Sequence, residues 1–127
     1  MLLLISLFFC HYIADFQLTT YSMLEAKRHG VPSLPLLAHS AIHGMLVALC
    51  VIIAGVSWKM CIGLFLLEFV SHFLIDTTRG LLVDAIPMFA DYKRKGYWQL
   101  LGFGQFLHIL VIILIFAIVM RQVPLIF

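Results

Sequence analysis

Four apolar stretches, each carrying polar residues three or four positions apart, organise this chain. They cover about 2–20, 36–56, 60–78 and 98–120. Crossing roughly 30 Å of hydrocarbon takes about 20 helical residues, with every backbone group bonded inside its own helix. Each stretch is therefore expected to span a membrane, the first and third being short. The breaks fit this reading. Pro32 and Pro35 flank Ser33, and Pro35 stands at the first turn of the second helix, where its missing N–H would be unpaired anyway. Gly55, Ser57, Trp58 and Lys59 read as a tight turn, so the second and third helices should be antiparallel neighbours. Between the third and fourth helices, Leu81, Leu82, Ile86, Met88 and Phe89 alternate with Asp84 and Asp91 and lead into Tyr92, Tyr97 and Trp98. That pattern predicts a short helix over about 81–91 in the headgroup layer, bent or broken at Pro87.

Composition sharpens the class. The chain has 127 residues, 64% of them apolar and 11% charged, with a mean hydropathy of +1.12. So few charged side chains cannot cover a soluble domain of this size, which excludes a soluble fold and makes lipid the solvent. A net charge of +2, with its cations scattered, excludes a nucleic-acid footprint. Cys10, Cys50 and Cys61 lie in or beside apolar runs without paired spacing, and read as buried free thiols. The N-terminal run lacks a basic leader region and continues into His11 and Asp15, so it reads as a retained helix, not a cleaved signal. The expected architecture is an all-α, four-helix transmembrane bundle forming a single domain over 1–127. Lys27, Arg28, Arg79, Lys93, Arg94 and Lys95 fall on one side, and only Lys59 and Arg121 on the other. The positive-inside rule then puts both termini outside a bacterial cytoplasmic membrane.

The polar residues inside the spans carry the chemistry. The four pairs are His11 with Asp15, His39 with His43, His72 with Asp76, and Gln105 with His108. Spacings of three or four place each pair on one helix face, one turn apart. With alternating helix directions, Asp15, His39, Asp76 and Gln105 form a layer nearer the cytoplasm. His11, His43, His72 and His108 form a second layer one turn deeper, and Glu68 lies one turn below His72. A charged residue at the bilayer centre costs roughly 2.5–3.5 kcal/mol even on insertion scales, so these acids should face inward. Imidazole and carboxylate on facing helices are how bundle cores hold zinc and related divalent ions. The candidate ligands are His11, Asp15, His39, His43, His72, Asp76 and His108, for one or two ions, most naturally zinc. Gln105 suits an orienting role beside them. Glu68 reads as a ligand, a proton acceptor or a partner fixing an imidazole, and Asp76 joins it as a candidate catalytic carboxylate. Arg79 reads as a helix-end anchor or as a clamp for a substrate phosphate. His29, in the polar first loop, reads as solvated.

HYIADF in the first helix aligns with HFLIDT in the third, so the chain reads as two tandem helical hairpins, a parallel repeat. HYIADFQL, HSAIH, HFLIDTTRG and FGQFLH together resemble the signature stretches of the small bacterial and phage membrane proteins called domain of unknown function 3307, over nearly the whole chain. That resemblance implies an acid just before the glutamine of the fourth helix, where this chain has Gly104. HFLIDTTRG is also similar to a signature of the LexA-regulated, membrane-bound metal-dependent hydrolases, although Thr78 and Gly80 stand closer to Asp76 here.

The leading functional expectation is a membrane-embedded metal-dependent hydrolase of a lipid-linked ester or phosphoester near the cytoplasmic leaflet. Membrane lipids are its expected partners, nucleic acid is not one, and self-association into a homo-oligomer is compatible with the pattern. Three alternatives stand beside it: a divalent-ion or proton transporter, a haem protein with axial histidines, and a non-catalytic phage or stress protein with a structural polar core.

Overall fold

The computed structural model describes residues 1–123, and all regular structure among them is helical. Helix α1 spans Leu2–Tyr12 and continues through a π-helical turn, Ile13–Gln17. Then come α2 (Tyr21–His29), α3 (Leu34–Ile53), α4 (Trp58–Ala85), the single turn α5 (Pro87–Ala90) and α6 (Lys95–Gln122). Helices α3, α4 and α6 are each long and apolar enough to cross a membrane. Leu2–Gln17 and Tyr21–His29 meet the same test only as a pair, and they are bent by 99°.

Helix α3 packs against α1 and α4, and α6 closes against α1 and α4, so these four helices form a ring. Their directions follow from which residues meet. Asp15 lies beside His39 near the start of α3, while Leu7 shares a buried apolar cluster with Val47 and Val51 near its end. Helices α1 and α3 are therefore antiparallel. The same cluster takes in Leu64 of α4 and Ile112, Ile115 and Val119 of α6. It fills the end of the ring remote from α2, and the buried polar residues occupy the other half.

Helix α2 replaces the expected polar loop. Thr20 caps its start, its hydroxyl accepting from the Met23 N–H at 3.4 Å, and Gly30 ends it in the left-handed region at φ +61°. A Cβ on Gly30 would overlap the Thr77 carbonyl and the Leu81 nitrogen, and one on Gly80 would overlap the Gly30 backbone. The two glycines thus let the end of α2 lie directly on α4, the close approach that small residues permit between apolar helices. The expected interfacial helix over 81–91 is also revised. Leu81–Ala85 is the last part of α4, because nothing in that stretch stops a helix until Pro87 holds Ile86 extended (φ −125°, ψ 108°). Only Pro87–Ala90 remains as a separate turn. Helix α6 begins at Lys95, a turn before the expected start at 98.

Candidate metal centre

The four polar faces meet in one buried cluster. At the α2 end, Asp15 Oδ1 lies 3.3 Å from His39 Nε2, His39 Nε2 lies 3.6 Å from Asp76 Oδ2, and Gln105 Nε2 donates to Asp15 Oδ2 at 3.1 Å. One turn deeper the imidazoles crowd together. The His43 and His72 ring centroids are 3.6 Å apart and those of His72 and His108 are 4.0 Å apart, with His11 at 4.8 Å from His43. Below them Glu68 Oε1 lies 3.4 Å from His72 Nδ1 and 4.0 Å from His43 Nδ1. His39, His43, Glu68, His72, Asp76 and His108 are each at most 2% exposed.

The separations identify what kind of group the cluster suits. Charge-assisted hydrogen bonds shorten to about 2.7–2.9 Å. The contacts of Asp15 with His43, Asp76 with His72, Asp76 with His108 and Glu68 with His72 are all 3.4 Å. For a tetrahedral zinc with ligands at 2.0–2.1 Å, neighbouring ligand atoms are about 3.3–3.4 Å apart. These donors are thus spaced as edges of a metal polyhedron more than as mutual hydrogen bonds.

Satisfaction of polar atoms points the same way. Buried groups nearly always have partners, yet both ring nitrogens of His11, Nε2 of His43 and His72, Glu68 Oε2 and Asp76 Oδ2 have no hydrogen-bond partner. Three overlapping donor sets could each hold one ion, with ligand atoms within 4.8 Å of one another: His11, His43, Glu68 and His72; Asp15, His39, His43 and His72; and His72, Asp76 and His108. His72 belongs to all three.

Two residues of the cluster carry no signal in the periodicity. Lys27, counted above only as a topology charge, is 8% exposed, and its ammonium donates to Asp15 Oδ1 at 2.6 Å. The same nitrogen lies 3.3 Å from His39 Nε2 and 3.4 Å from Asp76 Oδ2. The right-angled bend before α2 is what turns this side chain into the ring. Thr19 sits at that bend. Its hydroxyl donates to the Ala14 carbonyl at 2.9 Å and lies 3.4 Å from His39 Nδ1. With its one proton committed, it can only accept from Nδ1–H, which leaves the His39 Nε2 lone pair facing the cluster. A hydroxyl two residues before a helix start, following an inward acid, was the available signal.

Other expected residues fall outside this group. Arg79 Nη2 donates to the Lys27 carbonyl at 3.2 Å, so it braces the end of α2. Its stem lies over Gly104, where an added Cβ would come 3.1 Å from Arg79 Cδ. His29 stays partly exposed but is not simply solvated, since Nδ1 lies 2.8 Å from Asp84 Oδ1 on α4. Cys10 and Cys50 are free thiols, with their sulfurs 3.4 Å apart between α1 and α3.

A family described as protein of unknown function (DUF3307) matches residues 3–126, and the chain belongs to it. No curated protein and no solved structure matches the chain.

Proposed function

We propose that this DUF3307 member is an integral membrane protein that holds a divalent ion of the zinc class within its helix ring and hydrolyses an ester or phosphoester of a membrane lipid. The observation that carries the metal is the cluster of orphaned, buried nitrogen and oxygen donors around His72, spaced like the edges of a coordination polyhedron. The ion would supply Lewis-acid chemistry, polarising a carbonyl or phosphoryl oxygen and making water a nucleophile near neutral pH.

The lipid reading rests on what flanks the cluster. Between α4 and α6 runs a groove of about 210 Å³, lined by Leu74, Ile75, Arg79, Phe103 and Leu107 among others. Ile75 and Leu107 are the chain neighbours of Asp76 and His108, so an acyl chain in this groove would lie beside the polar cluster. Arg79 would face its phosphate or carboxyl end. Asp76, whose Oδ2 makes no hydrogen bond and lies 3.4 Å from the Lys27 ammonium, is the carboxylate suited to take a proton from water there. A path through the protein is less well supported. Beyond Glu68 the ring is filled by the buried apolar cluster of Leu7, Val51, Leu64, Ile112 and Ile115, which makes the polar column blind at that end.

The test is metal analysis of detergent-purified protein after exposure to zinc, with His72→Gln beside the wild type. Stoichiometric zinc in the wild type and its loss in the variant are expected. Release of fatty acid or phosphate from phospholipid vesicles should then need the metal and should fall in Arg79→Ala. Wild type that retains no metal sinks the proposal, and metal without any lipid cleavage removes its enzymatic half.

A further inference from the structure

The three donor sets are not equivalent once Lys27 is placed. Its ammonium touches Asp15 and His39 of one set and Asp76 of another, but no member of the set formed by His11, His43, Glu68 and His72. Asp15 is also complete without an ion, because Oδ1 accepts from Lys27 and Oδ2 from Gln105. Two of the six unpartnered atoms in the cluster, His11 Nδ1 and Glu68 Oε2, belong to the deeper set and pair with no charged group of the other half, while Nε2 of His11, His43 and His72 lies 3.4–3.6 Å from an oxygen of Asp15 or Asp76. The cluster divides into a half that already holds a cation and a half that lacks one.

On the reading that the protein binds a divalent ion, we infer that it binds a single ion, in the deeper half, with Glu68 as the carboxylate ligand, while the Lys27 ammonium holds the position a second ion would take between Asp15, His39 and Asp76. Charge supports the assignment. Asp15, Asp76 and Glu68 bring three negative charges into the ring and Lys27 one positive charge, so one divalent ion makes the core neutral. A second would leave two uncompensated positive charges in a low-dielectric interior, where an unpaired charge is strongly unfavourable. Geometry agrees, since paired metals in two-ion sites stand about 3.5–4 Å apart and share carboxylates. A lysine ammonium bonded to Asp15 and within 3.4 Å of Asp76 Oδ2 occupies the space and the donors that such a neighbour requires. Glu68 thus gains the ligand role among the three the sequence left open, and Lys27 becomes the residue that sets metal number.

The experiment is zinc stoichiometry on full-length protein in detergent, loaded with excess zinc, desalted and assayed for metal per chain. About one zinc is expected in the wild type, about two in Lys27→Gln, and a loss of at least tenfold in occupancy in Glu68→Gln. Because Lys27→Gln could fail to fold, the wild type is also treated with a small amine-acylating reagent before and after loading. Lys27 should stay equally protected in both states, since the ion and the ammonium occupy different positions. Two zinc ions in the wild type would overturn the single-ion count, one in Lys27→Gln or exposure of Lys27 on loading would overturn the place given to Lys27, and retention of zinc by Glu68→Gln would overturn Glu68 as the ligand, each while leaving the metalloprotein reading intact. Absence of zinc from every form would overturn both.

Discussion

Lys27 changes the energetics of burying this cluster. Two aspartates inside a helix ring need a counter-charge even before any metal arrives, and the Lys27 ammonium, 2.6 Å from Asp15 and 3.4 Å from Asp76, provides it. Removing one partner of a buried pair typically costs about 3–5 kcal/mol, because the other charge is left without compensation. Lys27→Gln should therefore unfold at clearly lower temperature than the wild type in a chelator. An ion that binds only the native state adds about 2.7 kcal/mol at a hundredfold excess over its Kd. Zinc should then raise the melting temperature of Lys27→Gln by more than that of the wild type, since the variant gains a second binding position. Thermal unfolding in detergent with chelator and with zinc measures both shifts, and equal shifts in the two proteins would count against Lys27 as an internal cation.

At the scale of the elements, α2 is held on the ring by a few specific contacts, His29 with Asp84 among them. Its end rests on α4 through Gly30 and Gly80, its last-turn Lys27 carbonyl is bonded by Arg79, and its Lys27 side chain reaches the cluster. A methyl at Gly80 would overlap the Gly30 backbone. Gly80→Ala should lift α2 away and expose the Lys27–Arg28 peptide, so limited trypsin digestion should cut there several-fold faster than in the wild type. An unchanged rate would show that α2 does not depend on this approach. The same element shows where the sequence was legible and where it was not. His11 with Asp15, and His72 with Asp76, could be read because one helix period fixes which side chains share a face. Their meeting across helices followed from burial alone, since no acid among them tolerates lipid. Lys27 could not be read that way. Its helix is short and polar, so a search for apolar spans passes over it, and a count of basic loop residues assigns it to the membrane surface. The cap at Thr20 and the stop at Gly30 were present in the sequence, but nothing there gives the 99° bend that turns the helix back over the ring. Helix α4 runs to Ala85, past the expected end at 78, for a related reason. Gly80 and Asp84 look like loop residues until the first is seen to be a contact with α2 and the second a partner of His29.

The whole molecule is polarised along the helix axes. The α2 end holds a cation, two carboxylates and an amide; the middle holds stacked imidazoles above Glu68; and the far end is closed by aliphatic side chains from α1, α3, α4 and α6. A conduit for ions needs polar partners on both sides of its midpoint, because an ion leaving Glu68 toward the far end would have to shed its ligands among Leu64, Ile112 and Ile115, all at most 4% exposed. A resident ion needs only one approachable side and a dry wall behind it, which also strengthens its electrostatic effect on a bound ester. The groove between α4 and α6 is lined by Ile75 and Leu107, the chain neighbours of Asp76 and His108, and it reaches Arg79, which braces α2. Reconstituted into liposomes with a trapped zinc-sensitive dye, the protein should therefore pass zinc no faster than protein-free vesicles, at any imposed pH gradient. Uptake that depended on protein and disappeared in His72→Gln would mean that the aliphatic plug opens, and would turn the blind polar column into one station of a path.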